Sequence, residues 1–158
     1  MSSTSDIEKR LDALQARLRR APGVTSDLIA KVIAGAGIRI ASPQLAAKAA
    51  HIDRLIEAGA WIEAAFALVE LELPQWKLRR LTYEEGAWLC SLSKQWSLPE
   101  WLSDSVESRH ASLPLAVLGV LIEAQRCGEA PSGRAAGSVP RCPADSGSRV
   151  NMCCDNFA

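Results

Sequence analysis

WKLRRLTYEEGAWLCSLSKQW, residues Trp76 to Trp96, is the one stretch of the chain that reads as β-structure, with helix-forming segments on either side. Side chains alternate along an extended chain, so Trp76, Leu78, Arg80 and Thr82 fall on one face and Lys77, Arg79, Leu81 and Tyr83 on the other. The apolar set therefore changes sides midway, from Trp76/Leu78 to Leu81/Tyr83. One extra residue in a bulge at Arg79-Arg80 brings both pairs to the same side. Glu84-Glu85-Gly86 supplies the turn, with Gly86 free to take a positive φ. On the return strand Trp88, Cys90 and Leu92 share a face, and Leu89, Ser91 and Ser93 the other. Two strands alone are marginal in water, so the ribbon at 76–94 must lie on helices.

The helices are read from spacing and caps. Ser5-Asp6-Ile7-Glu8 has the form of a capping box. Ile7, Leu11, Leu14 and Leu18 follow as a narrow apolar seam among charged residues, ending before Pro22-Gly23. A Thr25/Ser26 cap opens a second helix through Leu28, Ile29, Val32 and Ile33, which exits at Gly35-Ala36-Gly37. Ile38-Arg39-Ile40 is too short to assign. Ser42-Pro43 reads as the start of a third helix, because proline suits the first helical position. Its inner face is Leu45, Ala49, Ile52 and Ile56, and Gly59 ends it. The next helix, Ala60 to Leu73, turns Ile62, Phe66, Val69 and Leu73 inward and closes at Pro74. Gly59 leaves almost no loop, so these two helices form a tight corner or one kinked rod. Beyond the ribbon, Leu98 to Leu102 reads as a helical turn and Asp104 to His110 as a polar surface loop. Ser112 caps a last helix, apolar on every side from Leu113 to Ile122, which is either central to the core or covered by a partner.

The totals exclude several classes. The 158 residues include 18 basic and 18 acidic ones, so no net field draws the chain to nucleic acid or to a membrane surface. The run from Leu113 to Ile122 is about half of what a spanning helix needs. The first ten residues lack the apolar core of an export signal, and the expected location is the cytoplasm. Five cysteines (Cys90, Cys127, Cys142, Cys153, Cys154) are an odd number with no C-x-x-C, which fits neither a disulfide framework nor a zinc site. From Cys127 onward Gly, Pro, Ser, Arg and Ala dominate without periodicity, and residues 127–158 read as a disordered tail.

No catalytic, cofactor or metal site is legible. His51 and His110 lie in different elements without ligand spacing, and Cys90 reads as a small hydrophobe in mid-strand. Lys77, Arg79 and Arg80 are the one basic cluster of the ordered part. They suggest a winged-helix module with the ribbon as wing, but the preceding helix offers Glu63, Glu70 and Glu72 where base-reading side chains belong. Trp61, Trp76, Trp88, Trp96 and Trp101 cluster around the ribbon, as core or, where exposed, as interface anchors.

The segment Leu55 to Glu123, above all LIEAGAWIEAAFALVELELPQWKLRRL and EEGAWLCSLS, resembles small bacterial proteins of alphaproteobacteria with no assigned activity. The resemblance implies a bacterial cytoplasm and carries no functional residue across.

The sequence thus points to a mostly helical α+β domain over residues 1–126, about five helices around one antiparallel hairpin, with a loose tail. Its expected function is a non-enzymatic protein–protein interaction or regulatory module that binds a protein partner or itself. The interaction candidates are Leu11, Leu14, Leu18, Trp76, Arg79, Arg80 and Trp88. The competing reading is a weak nucleic-acid binder using the basic ribbon. An enzyme using Cys90 or a histidine stands third, and no cofactor is implied.

Overall fold

A helix that is apolar on every side has to be enclosed, and here it is. The computed structural model describes residues 4–36, 43, 45–95, 97–99 and 103–129. Among these the order is α1 (Thr4–Arg20), α2 (Ser26–Gly35), α3 (Ala46–Glu57), α4 (Trp61–Glu72), β1 (Lys77–Glu84), β2 (Ala87–Ser93), β3 (Ser105–His110) and α5 (Leu113–Glu129). The protein is α+β and mostly helical, as its sequence implies. From Leu115 to Leu118 and from Val120 to Ile122, no α5 side chain is more than 1 % exposed. The sheet, through β3 and β2, covers one side of α5, and α1 and α4 cover others. Helix α2 packs on α1, and α3 on α4. Each buried Leu, Ile or Val contributes about 1.5–3 kcal/mol relative to leaving it in water. The all-round apolar surface of α5 is therefore the core.

The α1 seam joins this core, with Leu11 and Leu18 each 2 % exposed. Thr25 caps α2 as its residue type suggests, its hydroxyl oxygen accepting from the Leu28 N–H at 3.2 Å. Gly59, at φ +70, ends α3, and the chain turns a corner into α4 with the two helices in contact. Ala49 and Ile52 are buried on α3, with Leu45 and Ile56 half-buried against the core.

The ribbon holds the expected bulge. Leu78 lies opposite Leu92 and Arg80 opposite Ser91, which leaves Arg79 as the extra residue. Leu78, Leu81 and Tyr83 consequently share the face of Leu92, Cys90 and Trp88. At the turn Glu85 (φ 53) and Gly86 (φ 78) both take positive φ, the requirement of a type I′ turn.

Five expectations need correction. Asp104 to His110 is not a loop: Ser105–His110 is a strand, so the hairpin is part of a three-stranded antiparallel sheet of order β1-β2-β3. Ser5 lies within α1, which already runs from Thr4, and so does not cap it. Pro43 sits in a turn and α3 starts at Ala46, after a Leu45 cap that makes no side-chain bond (Ser42 lies outside the described residues). On α4 the most deeply buried residues are Ala64, Ala65 and Leu68, whereas Ile62 is 40 % exposed. Val69 and Leu73 are buried and Phe66 packs against the core, so the correction concerns Ile62 alone, whose place on the inner face is taken by the small Ala64 and Ala65. Cys127 to Glu129 continue α5 by its last turn rather than opening the tail. Ile38-Arg39-Ile40, Trp96, Trp101 and residues 130–158 lie outside the described residues.

Close packing of α5 on the sheet depends on Gly119. A Cβ there would fall on the Ser108 hydroxyl and lie 3.1 Å from the Ser108 Cβ. Gly119→Ala should therefore destabilise the protein by about 1–3 kcal/mol in urea unfolding, although alanine favours the helix by about 1 kcal/mol. Made in a Ser108→Ala background, the same substitution should cost measurably less, because the hydroxyl clash is gone.

Candidate interaction surface

Strand β1 lies at the edge of the sheet, hydrogen bonded to β2 alone, so its outer row of backbone groups is unpaired among the described residues. Its two ends present large apolar side chains. Leu78 is 47 % and Tyr83 58 % exposed, on the same sheet face. Tyr83 rests against its cross-strand partner Trp88 with ring centroids 5.1 Å apart and planes tilted by 52°. Beside the start of β1 a cleft of about 420 Å³ opens between α4 and the strand, lined by Phe66, Val69, Leu73, Trp76 and Leu78. Lys48 and Lys77 stand on its rim with Glu70. Lys94 lies over the Trp76 ring at 5.0 Å. Apolar surface and open backbone therefore meet along one line.

The residues singled out in the sequence divide between interior and surface. Leu11, Leu14 and Leu18 are all in the core, and Trp76 is only 6 % exposed. Trp88 is half-buried. Arg79 is directed at the β2–β3 connection, its Nη1 donating to the Leu98 carbonyl at 3.0 Å and to the Ser103 hydroxyl at 3.1 Å. Arg80 pairs with Glu84 at 3.6 Å. Lys77 makes no ion pair among the described residues. Leu78 and Tyr83 carried no signal of their own, because alternation marks them as inward and only the position of α5, over β2 and β3, leaves them uncovered.

Other reactive groups have structural duties or lie apart. Cys90 is fully buried, and burial pushes its thiol from 9.0 up to about 11. The His110 Nδ1 accepts from the Ser112 N–H at 2.9 Å in the turn that leads into α5. His51 is exposed on α3. Burial raises the Glu72 carboxyl above its usual value. Among the described residues no three His, Cys, Asp or Glu side chains come together as metal ligands would. A second, shallower hollow of about 670 Å³ lies between the end of α1 and the start of α2. On its rim the Lys31 ammonium donates to Asp27, holding that carboxyl below its usual value.

Compared with family models, curated proteins and solved structures, the chain matches none of them. No helix among the described residues is long and apolar enough to cross a membrane.

A thiol at about 11 is about one part in a thousand thiolate at pH 8, which makes Cys90 a poor nucleophile. Brief treatment of the folded protein with iodoacetamide at pH 8 should alkylate the exposed Cys127 and spare Cys90, as peptide mass spectrometry would show. The raised value also links to stability. The folded state keeps this proton longer than the unfolded one, so the Cys90 contribution is complete below about pH 9 and is lost as the pH approaches 11.

Proposed function

We propose that the chain is a non-enzymatic protein-interaction module whose docking surface is the outer edge of β1. One observation carries this reading: an eight-residue strand whose outer edge is unpaired among the described residues also exposes Leu78 and Tyr83 on one face. Long exposed edges are templates for a further strand, and folded proteins usually shorten or cover them. Addition of a strand would satisfy the open backbone groups and cover the two apolar side chains together. The interior placement of the α1 seam and of α5 supports the sheet, rather than either helix, as the contact surface.

The basic cluster gives less support to nucleic acid, because Arg79 and Arg80 are already engaged within the chain and Glu63 and Glu70 are exposed on α4. A cytoplasmic setting belongs to the same proposal. A reducing compartment keeps Cys90 and Cys127 as free thiols, the form they have here.

The test is site-specific photo-crosslinking in the cells that make the protein. A photoreactive phenylalanine analogue in place of Tyr83 should give one discrete adduct, identifiable by mass spectrometry, while the same analogue at the remote, exposed Lys9 gives none. Equal labelling at both positions, or no adduct at Tyr83, would sink the proposal.

A further inference from the structure

We infer that the occupant of the β1 edge is a second copy of this chain, paired antiparallel about a two-fold axis through Leu81. The inference rests on the reading of β1 as a docking edge and adds the partner's identity. It comes from the order of residues along the strand. The first half of β1 is basic, with Lys77, Arg79 and Arg80, and its far end is acidic, with Glu84 and then Glu85 at the turn. A strand charged in this way is complementary to itself when reversed.

The bulge completes the match. Residues directly opposite each other in an antiparallel pair share a sheet face. Lys77, Arg80, Thr82 and Glu84 lie on one face of β1, and Leu78, Leu81 and Tyr83 on the other. Arg79, the bulged residue, is tied to Leu98 and Ser103 and stands outside the register. With Arg79 left out, reversal about Leu81 sets Lys77 opposite Glu84 of the second copy and Leu78 opposite Tyr83. It also sets Arg80 opposite Thr82 and Leu81 opposite itself. Every pair falls on a common face. Without the bulge, no symmetric register would join Lys77 to Glu84 and Leu78 to Tyr83 while keeping faces matched at the centre.

The pairing brings together the two large apolar side chains that β1 exposes and sets Lys77, which makes no ion pair among the described residues, beside Glu84, whose exposed carboxylate also pairs with Arg80 of its own chain. It also makes one continuous six-stranded antiparallel sheet from two copies of the three-stranded one. The edge of β3 is the alternative place for such pairing. It is shorter, its residues 105–110 expose no large apolar side chain, and Arg109 is already paired with Glu85 at 3.5 Å. Charges and bulges commonly keep edges apart. A parallel pairing would set Lys77 beside Lys77 and Glu84 beside Glu84, and the antiparallel register centred on Arg80 sets that residue opposite itself. The register centred on Thr82 sets Arg80 opposite Glu84 but leaves Lys77 without a counter-charge and Leu78 without Tyr83, so only the register through Leu81 joins both pairs.

The edge-to-edge contact is small, so the dimer should form only at roughly tens to hundreds of micromolar protein. Sedimentation equilibrium of the full chain from about 10 µM to about 1 mM should show the mass rising from 17.0 kDa toward twice that value. Lys77→Glu and Glu84→Lys should each weaken the dimer on the order of tenfold by opposing like charges. The double variant Lys77→Glu/Glu84→Lys should recover most of the loss, which a damaged fold would not do. Far-ultraviolet circular dichroism of each variant should match the parent, since both positions are exposed. A monomer at every concentration, a dimer indifferent to these charges, or an absence of rescue would each overturn the inference. A monomeric chain that still gives a Tyr83 adduct with a different protein would leave the docking edge standing and remove self-pairing alone. A monomer at every concentration together with no Tyr83 adduct would remove both.

Discussion

Everything in this fold follows from the need to enclose α5. Its sequence, LPLAVLGVLIEAQ, leaves no polar side on which the first three turns can face water. A surface helix needs an apolar stripe and one neighbour; α5 needs neighbours on every side. The sheet supplies one wall, and α1 and α4 supply others. The layer between helix and sheet is thin because Gly119 and Ser108 meet where two larger side chains would hold them apart. Small residues on α4, Ala64 and Ala65, are likewise fully buried.

Enclosing α5 has a consequence for recognition. The side chains that look most adhesive in the sequence, the leucines of α1 and the apolar run of α5, are already buried within the chain. The sheet is in the opposite position. Helix α5 lies against β3 and β2 and stops short of the outer edge of β1, so Leu78 and Tyr83 remain uncovered although the alternation pattern places them on the inner face. The exposed apolar pair of β1 therefore lies where the core helix does not reach.

Much of this was legible in the sequence, and the exceptions have physical causes. A switch in apolar parity between Trp76/Leu78 and Leu81/Tyr83 has few explanations, so the bulge at Arg79 could be read directly. The Thr25 cap and the Gly59 and Gly86 conformations followed from residue chemistry. Strand β3 was not legible, because SVESRH has one strongly apolar residue and its partner strand, β2, dictates its conformation. On α4 the sequence misplaces Ile62 alone, because a helix apolar over most of its surface gives periodicity little contrast, and packing against neighbours then chooses the face. For the same reason the exposed apolar face of β1 could not be found by pattern. Leu78 and Tyr83 look like core residues, and only the reach of a helix far along the chain decides that they are not.

An edge strand left open is a hazard unless something limits what it accepts. Shape gives little discrimination, because any extended backbone offers the same hydrogen bonds. Selectivity has to come from side chains that oppose the wrong partner. On β1 the bulge breaks the regular ladder, so a partner strand without a matching irregularity loses face matching beyond Arg79. The basic and acidic ends oppose any strand whose charges run in the wrong order. Both restrictions act on foreign strands and on a copy paired in parallel. The proposed partner, β1 itself reversed about Leu81, meets both. A feature that reads as edge protection in the isolated chain would, for that proposed partner, specify the register.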